Sequence, residues 1–317
     1  MIRCEDWRRF PASTVQPLLD VEAAAWLREL HWDVREAWSV VEPARAAGQL
    51  PGALALNDSG YPVGWAAYLQ HGTSLQVMAI VASNRAATEA LVDWIMASPE
   101  AASTDVAVVS VRHPAPGLAE ALAAHGFTTD RYRYLGMALW DFGEPADGLA
   151  PWRDHDVAAA RLCARAYVDT PGIRAFAPHD TPDEWVEYIA QLRKGPGCGW
   201  FASEFSFVVP AATGDELDAA ILITDLGPGT VHVAQLAVDP AARGRGLGRR
   251  LVRAALGRAA ALYDRATLLV SASNTPAVSL YDSIGFEELA TFLVAVKRQP
   301  SLSKSVAVAT GGESTRR

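Results

Sequence analysis

The sequence predicts an α/β protein of the α+β kind, with mixed sheets, divided into two domains. Three observations carry that expectation. At 317 residues the chain is longer than one compact core ordinarily uses, which favours two domains of about 150 residues each. Between Val231 and Ala259 a central-strand pattern, a glycine turn and an amphipathic helix follow one another without interruption. The first half repeats the same plan with the glycines largely gone.

Composition narrows the class. Half of the residues are hydrophobic and a fifth are charged, as in a globular protein. With 36 acidic against 28 basic residues the formal net charge is −8, which argues against general attraction to nucleic acid and favours a cationic small molecule. Cys4, Cys163 and Cys198 show no CxxC or Cys/His spacing, so neither a disulfide framework nor a metal site is expected, and a reducing cytoplasm fits. The opening MIRCEDWRRFPASTV lacks the apolar core and small-residue cleavage site of a secretory signal. No apolar run is long enough to span a membrane, so a soluble protein without membrane partners is expected.

In chain order, GALAL, GYPVGWAAYL and LQVMAIVA read as strands, ATEALVDWIM as a helix, DVAVVSV as a strand, LAEALAAHGF as a helix and YRYLGMALW as a strand. This first domain is placed at residues 1–145. Proline, glycine and acidic residues break the periodicity from Asp141 to Trp152, where the second domain begins, at 146–300. The tail 301–317 has no sustained period and is expected to be disordered.

Within the second domain, VHVAQLAV alternates so that His232, Ala234, Leu236 and Val238 share one face and Val233, Gln235 and Ala237 the other. Both faces are nearly apolar, so the strand is central. After it, DPAARGRGLGRRL brings Gly244, Gly246 and Gly248 together with Arg243, Arg245, Arg249 and Arg250. Leu247, Leu251, Val252, Ala255, Leu256 and Ala259 then recur at helical spacing. A glycine turn entering a helix aims unpaired N–H groups and a positive dipole end at an anion, most simply a phosphate. The dinucleotide fingerprint fails because Arg249 stands where its last glycine is needed, and a P-loop fails because Gly248-Arg249-Arg250 replaces Gly-Lys-Ser/Thr. A plain connecting turn would leave the arginines unexplained. Downstream, Thr275 before Pro276 reads as an N-cap and Gly285 as the left-handed residue that ends a short helix. On that helix Ala277, Leu280, Tyr281 and Ile284 share a side, which by itself makes Tyr281 a packing residue.

Taken together, the two stretches resemble the GNAT superfamily of N-acetyltransferases. Arg243-Gly244-Arg245-Gly246-Leu247-Gly248 is similar to that family's Arg/Gln-x-x-Gly-x-Gly/Ala loop, and Asn274-x-x-Ala277-x-x-Leu280-Tyr281-x-x-x-Gly285-Phe286 to its C-terminal motif. The resemblance implies two tandem GNAT-like acyl-CoA N-acyltransferase domains with acetyl-CoA as co-substrate and no metal. It implies that the strand ending Leu236-Ala237-Val238 pairs with the pantetheine arm, and that Arg243 to Gly248, with Arg249, hold the phosphates. Asn274 would contact the coenzyme arm, and Tyr281 would face the sulfur. In the first half His125-Gly126-Phe127 parallels Ile284-Gly285-Phe286, but Leu122 stands in the place of Tyr281 and Ala115 in that of Asn274. VASNRAATEALV replaces the glycine–arginine turn, so this half reads as a degenerate copy.

Acetyl transfer to an amine requires a base, a place for the oxyanion and a proton for the leaving thiolate. Tyr281 suits the last role, since a phenol is a donor at neutral pH. Asp225, at a strand end, and His232, in the central strand, are the candidate bases, with turn-forming and strand-packing roles as the alternatives. The acceptor, a small-molecule amine, is expected against the segment from Tyr167 to Phe201, where Phe176, Trp185, Tyr188 and Trp200 mix with Asp169, Asp180, Asp183 and Glu184. For Trp185, Tyr188, Asp183 and Glu184, simple packing and capping of one helix is favoured. Among tandem members, acetylation of a cysteinyl amino-sugar is a narrower alternative. A non-catalytic acyl-CoA-binding scaffold is another.

Overall fold

The computed structural model describes residues 1–298 except 113–114, 141–148, 171, 173–174, 196 and 213–214. Most of the expected join and the whole tail from 301 lie outside the described residues. The first half contains β1 (Arg3–Asp6), α1 (Ala12–Leu30), α2 (Arg35–Trp38), α3 (Val41–Ala46), β2 (Gly52–Leu56), β3 (Pro62–His71), β4 (Ser74–Ala82), α4 (Arg85–Met96), α5 (Pro99–Ala102), β5 (Val106–Arg112), α6 (Leu118–Ala124) and β6 (Thr128–Ala138). In the second half follow β7 (Ala150–Pro151), α7 (Asp156–Tyr167), α8 (Pro182–Lys194), β8 (Trp200–Phe201), β9 (Phe207–Pro210), β10 (Leu217–Asp225), β11 (Thr230–Val238), α9 (Leu247–Ala259), β12 (Arg265–Ser271), α10 (Thr275–Asp282) and β13 (Glu287–Arg298). No helix among the described residues is long and apolar enough to cross a membrane.

All strands join one mixed sheet in the order β1-β2-β3-β4-β5-β13-β6-β12-β11-β10-β9-β7, with β8 beside β10. The two halves have exchanged their last strands. β6 of the first half pairs with β12 of the second from Tyr132↔Ser271 to Ala138↔Arg265, and β13 of the second pairs with β5 of the first from Phe292↔Arg112 to Arg298↔Val106. β6 and β13 then pair with each other at the centre. Apolar side chains from both halves close a shared core there, with Leu30, Tyr132, Tyr134, Ala290, Phe292 and Val294 all buried. The buried Tyr134 phenol satisfies itself by donating to the Leu30 carbonyl at 3.1 Å.

The internal repeat is visible at the level of a single residue. β4 and β5 are parallel and paired only from Ser74↔Val106 to Val77↔Val109; β11 and β12 are parallel and paired only from Thr230↔Arg265 to Val233↔Leu268. Immediately after the last pair each copy carries one extra residue, Met78 opposite the Ala67/Tyr68 step and Ala234 opposite the Leu222/Ile223 step. A bulge of this kind bends its strand and shifts the side-chain alternation by one. This overturns the strict period-two reading of β11: Val231 and Val233 pack with Leu236 and Val238 on the α9 side, while Ala234 and Ala237 face the α7–α8 layer.

Candidate active site

The bulge opens the sheet. Beyond Val233, β11 keeps its pairing to β10 but has no ladder to β12, so from Ala234 to Val238 one edge of its backbone is unpaired by strand. Into this wedge points the N-terminus of α9. Gly246, its first flanking residue, has φ +75° and supplies no side-chain cap, so the first N–H groups of the helix have no capping side chain. Gly244 is likewise left-handed at φ +77°, and a Cβ at either glycine would meet nothing within 4 Å. The space above the turn is open, and only glycine enters it without backbone strain. The equivalent helix of the first half, α4, differs at this point: Asn84 caps it by accepting from the Ala87 N–H at 3.0 Å.

A cleft of about 540 Å³ runs from this turn along β11. Leu236, Ala237 and Val238 form one wall and Arg243, Gly244, Gly246, Leu247, Gly248 and Arg249 the end, with Asn274 opposite. Arg245 is the exception among the expected loop residues, reaching instead to Asp218 at 3.5 Å. Arg243 also ties the loop to α7 through a 2.5 Å bond from Nη2 to the Ala166 carbonyl. At the inner end the cleft meets a chamber of about 110 Å³ that holds Tyr281, Tyr132, Gln235 and Ser271 and shares Tyr167 and Asn274 with the cleft.

Asn274, not Thr275, is the N-cap of α10, accepting from the Ala277 N–H at 3.3 Å through Oδ1. Asn274 still lines both cavities. Tyr281 is buried against Phe286, and burial pushes its phenol above the ordinary value, so it stays protonated and neutral. Packing and placement at a cavity are therefore not exclusive for this residue.

The two expected bases are not brought to the chamber. Asp225 ends β10, accepts from the Gly227 N–H at 2.9 Å and from the Tyr263 hydroxyl at 3.0 Å, and borders a separate pocket with Trp32 and Trp200. Its turn-forming role is the one the structure displays. His232 lies behind the chamber, its ring centroid 5.7 Å from that of Trp32 and 5.9 Å from that of Tyr134, with Nδ1 2.9 Å from the Thr267 hydroxyl. Burial lowers its pKa to about 3, so the imidazole is neutral and structural here.

The acceptor segment divides in the same way. Asp183 and Glu184 sit in the first turn of α8, where Glu184 forms a capping box with Thr181, and Trp185 is fully buried. Phe176 stacks on Tyr188 at 4.8 Å and lines the chamber. Sequence reasoning missed Gln235, although a lone amide inside an apolar strand was a usable signal. Its Nε2 donates to the Tyr167 hydroxyl at 2.7 Å, and its Oε1 accepts from Tyr188 at 3.3 Å. Tyr132 and Ser271 were also missed. Tyr132 comes from the first half, and nothing local announces that β6 crosses over.

The sequence profile of the acetyltransferase (GNAT) family matches residues 164–286, which contain the wedge, the turn and Tyr281. The second half is a GNAT domain. Two mycothiol acetyltransferases are similar to the chain, that of Rothia mucilaginosa at 30% identity over 61% of this chain and that of Kineococcus radiotolerans at 35% over 56%. In both cases the match spans 57% of the relative's length. A tandem GNAT protein from the clavulanic acid biosynthesis pathway superposes on 95% of this chain and 100% of its own with a TM-score of 0.54 at 16% identity. A GCN5-related N-acetyltransferase from Sphaerobacter thermophilus covers 78% of this chain and 80% of its own at TM-score 0.51 and 18% identity. The fold is therefore a tandem GNAT arrangement, with the GNAT domain of the second half retaining the open turn. Among the described residues no group of His, Cys, Asp and Glu is placed to hold a metal ion.

Proposed function

We propose that the chain is an acetyl-CoA-dependent N-acetyltransferase that transfers acetyl directly to a primary amine of a small molecule, and that only the second half loads the co-substrate. The observation that carries this reading is the uncapped α9 N-terminus facing the free edge of β11 across one cleft, with Tyr281 at its inner end. The N–H groups from Gly244 to Gly248 bind pyrophosphate, aided by Arg249; the backbone of Leu236 to Val238 pairs with the amide-bearing arm; Asn274 orients it. Acetyl-CoA supplies an activated acyl group. A backbone N–H on the β11 edge receives the developing oxyanion, and the Tyr281 hydroxyl gives its proton to the sulfur.

On this reading residues 1–145 are a degenerate domain that shapes the acceptor route, and 146–300 the catalytic one. A pocket of about 400 Å³ between the halves, with His71 and Gln76 on one side and Glu187, Tyr188 and Phe176 on the other, supports it, because Phe176 also borders the chamber. The relatives named mycothiol acetyltransferases favour a cysteinyl amino-sugar as the acceptor. The test is a panel of primary amines, cysteinyl amino-sugars included, assayed for coenzyme A release; release no faster than in the absence of amine, with every member, would reject catalysis and leave the acyl-CoA-binding scaffold.

A further inference from the structure

Among the described residues that form its wall the chamber has no carboxylate and no imidazole. An alkylammonium that enters it must still lose a proton before its nitrogen can attack, because an ammonium has no lone pair. With Asp225 and His232 elsewhere, a wall hydroxyl offers a route to a base outside the chamber.

One wall hydroxyl is coupled to a carboxylate. Ser271 Oγ, at the end of β12, donates to Asp130 Oδ2 at 2.8 Å, and Asp130 belongs to β6 of the first half. Ser271 is 5% exposed and lines the chamber beside Tyr132, its register partner on β6. Ser273 contacts Ser271 Oγ through its hydroxyl at 2.7 Å and its N–H at 3.2 Å, and the Ser273 hydroxyl is a rotor that an incoming donor can displace. Gly172 closes over the pair. At φ +108°, a Cβ there would lie 2.6 Å from Ser271 Oγ and 3.0 Å from Asp130 Oδ2, so the loop approaches this hydrogen bond as closely as only glycine allows. Among the described residues, Arg131 and Arg133 on β6 reach Glu288 of β13 at 2.5 and 2.7 Å, and Val294 stands opposite Asp130 in the β13 register. Arg174, two residues beyond Gly172, lies outside the described residues.

We propose that Asp130, acting through Ser271, is the proton acceptor for the amine, so that the first half supplies part of the catalytic machinery by strand exchange. This rests on the acetyltransferase reading above. Ser271 Oγ takes a proton from the bound ammonium as its own hydroxyl proton passes to Asp130 Oδ2. The N–H bonding pair stays on nitrogen as the nucleophilic lone pair, and the half-buried Asp130 then passes its proton to solvent. Ser271 is the catalytic contact and Asp130 the positioning and proton-holding group behind it.

The experiment compares wild type, Asp130→Asn, Asp130→Glu, Ser271→Ala and Asp169→Asn, with S-methylcysteinamide as the amine probe, and measures kcat/KM from pH 6 to 8 and acetyl-CoA affinity by calorimetry. Asp169 is included because its carboxylate borders the cofactor cleft. Asp130→Asn and Ser271→Ala are expected to retain acetyl-CoA affinity while kcat/KM at pH 7 falls about 100-fold. In both, kcat/KM should rise close to tenfold from pH 6 to 7 and less above, levelling near the α-amine pKa of about 7.7–8.0 as free amine accumulates in solution, whereas the wild-type profile is flatter. Asp130→Glu should recover part of the rate. A wild-type profile and rate retained in Asp130→Asn, or the steep profile appearing in Asp169→Asn instead, overturns the assignment alone. Wild type that releases no coenzyme A with this probe or any amine of the panel overturns both this and the acetyltransferase reading.

Discussion

At the scale of single residues, Tyr281 shows how a packing position and a reactive one coincide. Burial raises the pKa of the phenol and keeps it protonated; on the proposed reading that proton passes to the thiolate. Tyr281→Phe preserves the contact with Phe286 and removes only the donor, so turnover should drop about 10²–10⁴-fold with acetyl-CoA affinity nearly intact, read by steady-state kinetics beside calorimetry. His232 illustrates the converse, a residue legible as chemical and found structural. Its folded pKa lies near 3, below the ordinary 6.5, so between those values the unfolded chain binds a proton that the folded chain refuses, and stability falls as pH falls through that window. From pH 7 to pH 5 this removes about 2 kcal/mol. His232→Gln does not carry that term, so its stability deficit against wild type should narrow by a comparable amount in denaturant melts at the two pH values. A constant gap would show that the imidazole is not held neutral. Asn274 and Tyr281 were readable in the sequence because their neighbours on one short helix fix the spacing. Asp130 was not, because its chemistry exists only across a strand pairing with the other half.

The element that decides function is the β11–α9 junction, and the sequence conveyed its parts better than its shape. Three glycines before a helical period announced a turn entering a helix, and the turn is there, open and uncapped. The bulge at Ala234 was illegible, since an extra residue in an apolar strand changes no residue type and only shifts the phase. Yet that bulge ends the pairing with β12 and frees the backbone edge on which the cofactor reading depends. The same bulge at Met78 in β4 did not preserve a site, because Asn84 caps α4 and buried Ala115 and Leu122 occupy the positions of Asn274 and Tyr281. One acetyl-CoA per chain is the expected calorimetric stoichiometry. Gly246→Val should weaken binding at least tenfold, because its Cβ projects into the open space over the turn and a β-branched residue disfavours φ +75°. Two equivalent sites per chain, or unchanged affinity in the variant, would overturn the division of labour between the two turns.

For the whole molecule, the exchange of β6 and β13 means that a cut in the sequence is not a cut in space. The apolar pattern of YRYLGMALW marked β6 as a strand, but pairing with β5 and pairing with β12 satisfy the same pattern, so the partner choice was not legible. The consequence is testable by two truncations. A chain that starts at Ala146 lacks β6, which leaves β12 without its antiparallel neighbour from Arg265 to Ser271 and β13 without a neighbour on either side. It also exposes the apolar faces around Ala290, Phe292 and Val294 that Tyr132 and Tyr134 cover. An unpaired apolar strand edge is an aggregation site, so this chain should be largely insoluble and fail to bind acetyl-CoA. A chain that starts at Thr128 restores β6 to both β12 and β13 and brings back Tyr132, Asp130 and, apart from Leu30, the junction core. It should be recovered in the soluble fraction at a higher yield and bind acetyl-CoA, while the missing β3–β4 side of the pocket between the halves lowers turnover of the true acceptor. If the chain from Ala146 proved as soluble, as stable to heat and as active as the full protein, β6 would be dispensable to the second half and the first half would have no share in its site.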